Sequence, residues 1–439
     1  MTELLPFLMF LALVVFLLLG YPVAFTLGGV ALVFGVLGFG LDFFTLLPMR
    51  IWTRMTSFIL VAVPLFVFMG VMLERSGLAE ELLETMSLLF GRVRGGLAIS
   101  VVIVGALLAA STGIIGATVV TMGVIALPVM LSKGYQSELV TGTISAAGTL
   151  GQIIPPSIVL VILGDIMGVS VGELFMGAFI PGIILVLLYT IFILIYGFFK
   201  PQAAPGLSPE ELASTSSKGL LILVLKALVP PSILILAVLG SIFFGVASPT
   251  EAAAMGAFGA TLISIAKKRL NLKVLREVMM STTRLCSMVF LILLGAAAFG
   301  LVFRGLGGDH MVRNFLEGIG GGQWGILIIM MLVLFLLGFF LDFIEITFIV
   351  VPIIAPIISD LGFNPLWFAI LIAINFQTSF LTPPFGFALF YLKGVCPEGV
   401  TTGHIYRGII PFVVIQLIVL ALVAFFPVFV TWLPKFMYE

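Results

Sequence analysis

Charge is the scarcest commodity in this chain. Of its 439 residues only 9% are Asp, Glu, Lys or Arg, where a soluble domain carries about 25%. Twenty basic and twenty acidic residues cancel, which removes the electrostatic footprint of a nucleic-acid binder. Cysteine is nearly absent. Cys286 and Cys396 both fall in or beside apolar segments, with no metal-ligand company and no sign of a structural disulfide. Two histidines, His310 and His404, lie in expected loops, where interfacial duty fits better than catalysis. Neither a Walker motif nor a long polar stretch is found. Energy for any work is therefore expected from a gradient or a partner, not from ATP bound by this chain.

What remains is apolar. Hydrophobic residues make up 62%, with a mean hydropathy of +1.33. Runs of about 17–25 apolar residues read as membrane spans. By that rule 4–20, 22–40, 57–73, 173–199, 220–244, 249–266, 285–303 and 404–433 each cross once. The run 4–20 has no basic flank and no small-residue cleavage site, so it reads as a span and not as a cleaved signal. Residues 43–56, with Arg50, Trp52 and Arg54, read as interfacial, and 78–91 as a surface-lying amphipathic helix.

Four segments do not fit a simple crossing. Gly148-Thr-Leu-Gly-Gln-Ile-Ile-Pro-Pro-Ser157 interrupts the apolar run 137–165. Asn375-Phe-Gln-Thr-Ser-Phe-Leu-Thr-Pro-Pro-Phe-Gly386 interrupts 364–392. Proline removes an N–H and clashes with the preceding turn, and glycine is entropically costly in a helix. A broken helix at membrane depth is tolerated where it lines a cavity. The stretch 95–131 is split by Ser111-Thr-Gly-Ile-Ile-Gly-Ala-Thr118, and 322–359 by Asp342-Phe-Ile-Glu345. Both read as re-entrant hairpins, two half-helices that dip in and return.

The halves repeat. One shift of 228 residues lays Gly77 on Gly305, Pro128 on Pro356, Gly134 on Gly362 and Pro155-Pro156 on Pro383-Pro384. Lysine and arginine favour the cytoplasmic side. Counting crossings, Arg75, Arg92, Arg94, Lys133, Lys200, Lys218, Lys267, Lys268, Arg269, Lys273, Arg276, Arg284, Lys393 and Arg407 share one side, and Arg50, Arg54, Arg304, Arg313 and Lys435 the other. The crowded side is then cytoplasm, all four tryptophans fall at the outer interface, and the two hairpins enter from opposite sides. The expected fold is an all-α polytopic membrane protein of two inverted repeats, each with a re-entrant hairpin and a broken transmembrane helix. Residues 1–94 hold N-terminal scaffold spans, and 95–165 the first transport unit. Central spans occupy 166–321, with a linker at 200–218 and a basic arm at 267–284. A second transport unit follows at 322–392 and a C-terminal span at 393–439.

Paired interrupted segments are the sequence mark of a transporter's midplane site. Half-helix N-termini suit a carboxylate, while free carbonyls and hydroxyls suit sodium. No arginine or lysine lies in the four breaks. Candidate substrate contacts are Ser111, Thr112, Gly113, Pro155, Pro156, Ser157, Thr382, Pro383 and Pro384. Candidate sodium contacts are Ser111, Gly148, Thr149, Gly151, Asp342, Glu345, Asn375, Gln377, Thr378 and Ser379, with Gln152 and Thr347 among the polar residues of the same breaks. Hydroxyls also serve as packing residues in membrane helices, and a shallow tip would let Asp342 and Glu345 reach headgroup water. An intramembrane enzyme is the contrasting reading, with Asp342 as the acid. It lacks a second intramembrane aspartate in a matching motif, since Asp165 lies near a span end. No catalytic residue and no cofactor is expected.

The Ser111–Thr118 tip, Gly148-x-x-Gly151-x-x-x-Pro-Pro-Ser157, Phe340-Leu-Asp342 before Pro352 and Pro356, and Thr382-Pro-Pro-x-Gly386 carry a resemblance over nearly the whole chain. It resembles the large membrane subunit of a TRAP (tripartite ATP-independent periplasmic) transporter, of the ion-transporter superfamily. It departs from that pattern before Thr382, where Gln377-Thr-Ser-Phe380 stands in place of a glycine. The resemblance implies an elevator-type symporter coupled to sodium, with protons as the alternative ion. It implies a periplasmic substrate-binding protein that delivers an organic acid, and a separate small four-helix membrane subunit. The setting would be the bilayer of a bacterial or archaeal inner membrane. A binding-protein-independent cation-coupled symporter or exporter of the same superfamily is the second reading.

Overall fold

The computed structural model describes residues 4–112, 115–207, 217–319 and 321–438, with the side chains of 110–112, 217–218, 317, 319 and 438 outside the description. All regular structure among them is helical. That follows from the solvent, because in hydrocarbon each backbone N–H and C=O must be satisfied within its own segment.

The first half runs α1 (Leu5–Leu18), α2 (Val23–Phe39), α3 (Leu47–Met55), α4 (Ala62–Arg75), α5 (Leu78–Phe90), α6 (Gly96–Thr112), α7 (Ile115–Ser132), α8 (Ser137–Thr149), α9 (Ile158–Met167) and α10 (Val171–Phe199). The second runs α11 (Ser217–Phe243), α12 (Pro249–Ala266), α13 (Leu272–Gly305), α14 (Gly308–Ile319), α15 (Gly322–Leu337), α16 (Phe343–Ile349), α17 (Val351–Asp360), α18 (Pro365–Leu381), α19 (Phe387–Lys393), α20 (Thr402–Phe425) and α21 (Val428–Tyr438). The 228-residue repeat is exact at several joints. Helix α7 ends at Ser132 and α17 at Asp360, α8 starts at Ser137 and α18 at Pro365, and Gly134 and Gly362 both sit at φ +81°. Both hairpins, α6–α7 and α15–α17, and both broken spans, α8–α9 and α18–α19, are present.

The core lies along α8 and α18. Every residue from Leu366 to Leu381 is buried, as is every residue from Leu139 to Thr149. Each of these helices is gripped by its own hairpin, by different means. In the first repeat small residues allow close approach: a Cβ on Gly105 would lie 2.7 Å from Ala147 Cβ, and one on Gly148 would lie 2.3 Å from Val119 Cγ2. In the second repeat side chains bind backbone: Asn375 Nδ2 donates to the Met331 carbonyl at 2.8 Å and Ser379 Oγ to that of Phe335 at 2.6 Å.

The second arm of the second hairpin bends by 57° between α16 and α17. Pro352 is the cause, since it cannot donate to Phe348 and its ring crowds that carbonyl. The equivalent residue of the unbroken α7 is Val124.

Two expectations require correction. The basic arm 267–284 and the span 285–303 are not separate, because α13 is one helix of 34 residues. At 1.5 Å per residue it is about 51 Å long, far more than a hydrocarbon core of about 30 Å. Lys273, Arg276 and Arg284 therefore ride on a helical extension of the span, while Lys267, Lys268 and Arg269 precede it. The C-terminal stretch is not one span either. Phe426, ahead of Pro427, leaves helical geometry at φ −124° and ψ 77°, as a residue before proline tends to do. Helix α21 then turns back so that Val430 packs on Gly177 of α10.

Polar partners gather at the two ends of the bundle. Lys267 pairs with Glu81 and Arg75 with Glu277 (3.5 Å) at the end counted as cytoplasmic. Arg54 pairs with Asp165 (3.3 Å) and Arg313 with Asp360 at the other.

Candidate functional site

The hairpin tips and the broken-span joints enclose a cavity of about 160 Å³. Ile115, Ile158, Phe343 and Phe387 all line it, and Ile158, Phe343 and Phe387 are the first residues of α9, α16 and α19. Three helices thus begin at one cavity. Their leading N–H groups have no intrahelical acceptor, and α9, the longest of the three, adds the positive end of its dipole. Val63 and Val67 of α4, with Leu285, Met288 and Val289 of α13, form the opposite, apolar wall. Tyr391 and Asp342 supply the polar side chains of the lining.

Asp342 also has a local task. Its Oδ1 accepts from Phe343 N at 2.7 Å, and Glu345 Oε2 accepts from the Asp342 N–H at 3.1 Å, which completes a capping box on α16. Behind the cavity the broken spans meet. Gln377 Nε2 donates to Thr149 Oγ1 at 3.4 Å, and these two residues are equivalents under the 228-residue shift. Gln377 Oε1 and both polar atoms of Gln152 are buried without a hydrogen-bond partner, as are Ser145 Oγ and Thr347 Oγ1. Other hydroxyls are turned to the backbone: Thr149 to Ala146 O (3.0 Å), Ser157 to Gln152 O (2.8 Å), Thr378 to Ile374 O (2.8 Å) and Thr382 to Thr378 O (2.7 Å).

The Pro155-Pro156 and Pro383-Pro384 peptide bonds are both cis. Pro155 and Pro156 are buried, whereas Pro384 is exposed and its carbonyl accepts from Tyr406 Oη at 2.8 Å. Gly151 sits where a Cβ would lie 3.1 Å from the Ala109 carbonyl, so the loop presses its backbone onto α6. Ser111 and Thr112 belong to the last turn of α6, with side chains outside the described set, and Gly113 lies outside the described residues. Among the described residues no three His, Cys, Asp or Glu side chains cluster as a metal site would require.

The sequence profile described as "Tripartite ATP-independent periplasmic transporter, DctM component" matches residues 10–429. The chain belongs to this family. Among its relatives is the C4-dicarboxylate TRAP transporter large permease protein DctM of Pseudomonas aeruginosa, 31% identical over 92% of this chain and 92% of that protein. The sialic acid TRAP transporter large permease protein SiaM of Vibrio cholerae is 28% identical over 95% of each. Among solved structures, the YdaH transporter of Alcanivorax borkumensis superposes with a TM-score of 0.61 at 15% identity, over 88% of each chain, and so shares the fold.

Two features of this TRAP permease, one on the broken span and one on the cavity wall, escaped the sequence reading. Ser145 and Thr143 lie on α8 ahead of the glycine break, and both hydroxyls are buried without partners. Their signal was two polar residues within an otherwise small and apolar stretch. The cavity wall on α4 and α13 carried no signal, since valine, leucine and methionine there read as any lipid-facing or packed span.

Proposed function

We propose that this permease takes up a small organic carboxylate, driven by the sodium gradient across an inner membrane. A periplasmic binding protein delivers the substrate and a small four-helix membrane subunit completes the complex. The observation that carries the reading is the convergence of three helix starts, those of α9, α16 and α19, on one cavity. A carboxylate there gains the leading N–H groups of α9 and α19 and a favourable dipole without a buried arginine or lysine in the lining. Asp342 opposes an anion at the same wall, and a coupled cation offsets that charge.

Sodium fits the residues present. Gln152 and Gln377 keep buried amide oxygens without partners beside Thr149, and hard cations favour neutral oxygens of this kind. Gln152, Gln377 and Thr149 would hold the ion, and its charge would favour an anion in the adjoining cavity. The two hairpins and two broken spans would move as one body against α4 and α13, carrying the cavity from one side to the other.

The test is uptake in proteoliposomes holding this chain, its small subunit and its binding protein, with a panel of labelled mono- and dicarboxylates. Uptake that needs both an inward sodium gradient and the binding protein is the expected result. Uptake indifferent to the binding protein would favour the simpler symporter. Uptake driven equally by a proton gradient alone would make Asp342 and Glu345 proton sites.

A further inference from the structure

A second, smaller cavity of about 30 Å³ lies farther along the same seam. Helices α9, α13 and α16 line both cavities, and α3 and α17 complete the smaller one. On α13 the lining passes from Val289 to Leu293 and on to Arg304; on α9 it passes from Ile158 to Ile166; beyond Phe343 it passes to Phe348 and Pro352. Eight residues of α9 separate the two linings, a rise of about 12 Å. The small cavity is therefore the outer continuation of the larger one, at the end where Arg54 meets Asp165.

Three arginines line it: Arg50, Arg54 and Arg304. Arg54 has a partner, since Nη1 lies 3.3 Å from Asp165 Oδ2, while Ser57 Oγ donates to Asp165 Oδ1 at 2.7 Å. Arg50 and Arg304 make no hydrogen bond or ion pair with a described residue. Arg304 feels the repulsion of Arg50 and Arg54 and the attraction of Asp309, whose buried Oδ1 has no hydrogen-bond partner. Three cations thus stand against two carboxylates, with two guanidinium groups uncommitted.

These arginines do not serve the lipid face. Leu46, Met49, Trp52 and Met55, spaced three apart from the N-cap of α3 to its last residue, are all exposed and form its outward stripe. Arg50 and Arg54, four apart, share a different face, partly covered by Ile166, Phe348 and Pro352. An arginine bound for a headgroup would project with the tryptophan. Guanidinium forks turned inward over a transport path suit a carboxylate, which they take in a bidentate grip.

We propose that Arg50, Arg54 and Arg304 form an outer anion site that takes the carboxylate of the substrate before it reaches the Asp342 cavity. The proposal rests on the reading of this permease as a carboxylate importer. Here Asp165 holds Arg54 in place, and the incoming carboxylate competes with it for the same fork.

The test uses the reconstituted complex and the acid taken up fastest from labelled succinate, pyruvate and N-acetylneuraminate. In Arg50→Gln/Arg304→Gln the KM for uptake is expected to rise about tenfold, the size of one lost charge-assisted bond, with the maximal rate within about twofold. Arg50→Lys/Arg304→Lys keeps the charge but not the fork and should recover part of the loss, which a packing role would not. A fall in maximal rate at constant KM would overturn the anion site, leaving the arginines structural. Repeating the pair in liposomes with and without phosphatidylglycerol separates the sources of anion. A variant effect that appears only with phosphatidylglycerol makes a lipid headgroup the occupant and sinks the proposal. If wild type takes up none of the three acids, the importer reading fails first, and this site with it.

Discussion

Asp342 and Glu345 cap α16, and Asp342 also lines the cavity, so one pair of carboxylates invites two readings. The Asp-x-x-Glu spelling ahead of an apolar run is a capping-box signature and was present in the sequence. A buried-charge argument read the same letters as ion ligands. The two roles separate by substitution. Asparagine caps about as well as aspartate, whereas alanine costs about 1 kcal/mol. Asp342→Asn is therefore expected to melt within a degree or two of wild type, and Asp342→Ala measurably lower, in a thermal unfolding series. Should Asp342→Asn retain the fold but lose uptake, the charge matters to transport beyond its cap. Gln377 offers a cleaner probe. Gln377→Leu keeps the volume and removes the unpartnered amide, so the sodium concentration for half-maximal uptake should rise about tenfold or more, again one charge-assisted interaction. An unchanged sodium dependence would place the ion elsewhere.

At the level of elements, glycine sets how closely helices cross. Helices α8 and α20 meet at Gly142 and Gly408: a Cβ on Gly408 would lie 2.0 Å from the Glu138 carbonyl oxygen, and one on Gly142 would lie 2.1 Å from that of Gly408. Backbone cannot step aside as a side chain can, so Gly408→Ala should destabilise by about 1–3 kcal/mol as an overpacking change. A shift in unfolding midpoint measured in detergent or nanodiscs checks it, with the neighbouring Gly403→Ala, whose Cβ would meet only Thr401 Oγ1 at 3.5 Å, as a near-silent control. The breaks at 148–157 and 375–386 were legible because glycine and proline punctuate a chain locally. The unity of α13 was not. Its basic residues mark a membrane boundary, and a helix crosses such a boundary without a stop signal in its letters. The split between α20 and α21 did have such a signal in Pro427, which the closing apolar run obscured.

Across the whole molecule, ion pairs gather at the two ends of the bundle. Motion of one body past the other has a direct test at the seam. Ser57 and Asp165 touch across it, so Ser57→Cys/Asp165→Cys, in a background with Cys286 and Cys396 replaced by serine, should form a disulfide under mild oxidation. Uptake is expected to stop on oxidation and return on reduction. Full uptake in the crosslinked state would mean that the seam stays fixed during transport. The shared core along α8 and α18 also bears on ancestry. A residue on a twofold axis of two identical halves faces its own copy, and Thr149 and Gln377 occupy such a position. Two copies of the first half would set threonine against threonine there, a short pair with both hydroxyls able to turn to backbone. Two copies of the second would set amide against amide. The unlike pair reaches across and leaves one amide oxygen free, so at that point the halves have become a lock and its key, no longer exchangeable.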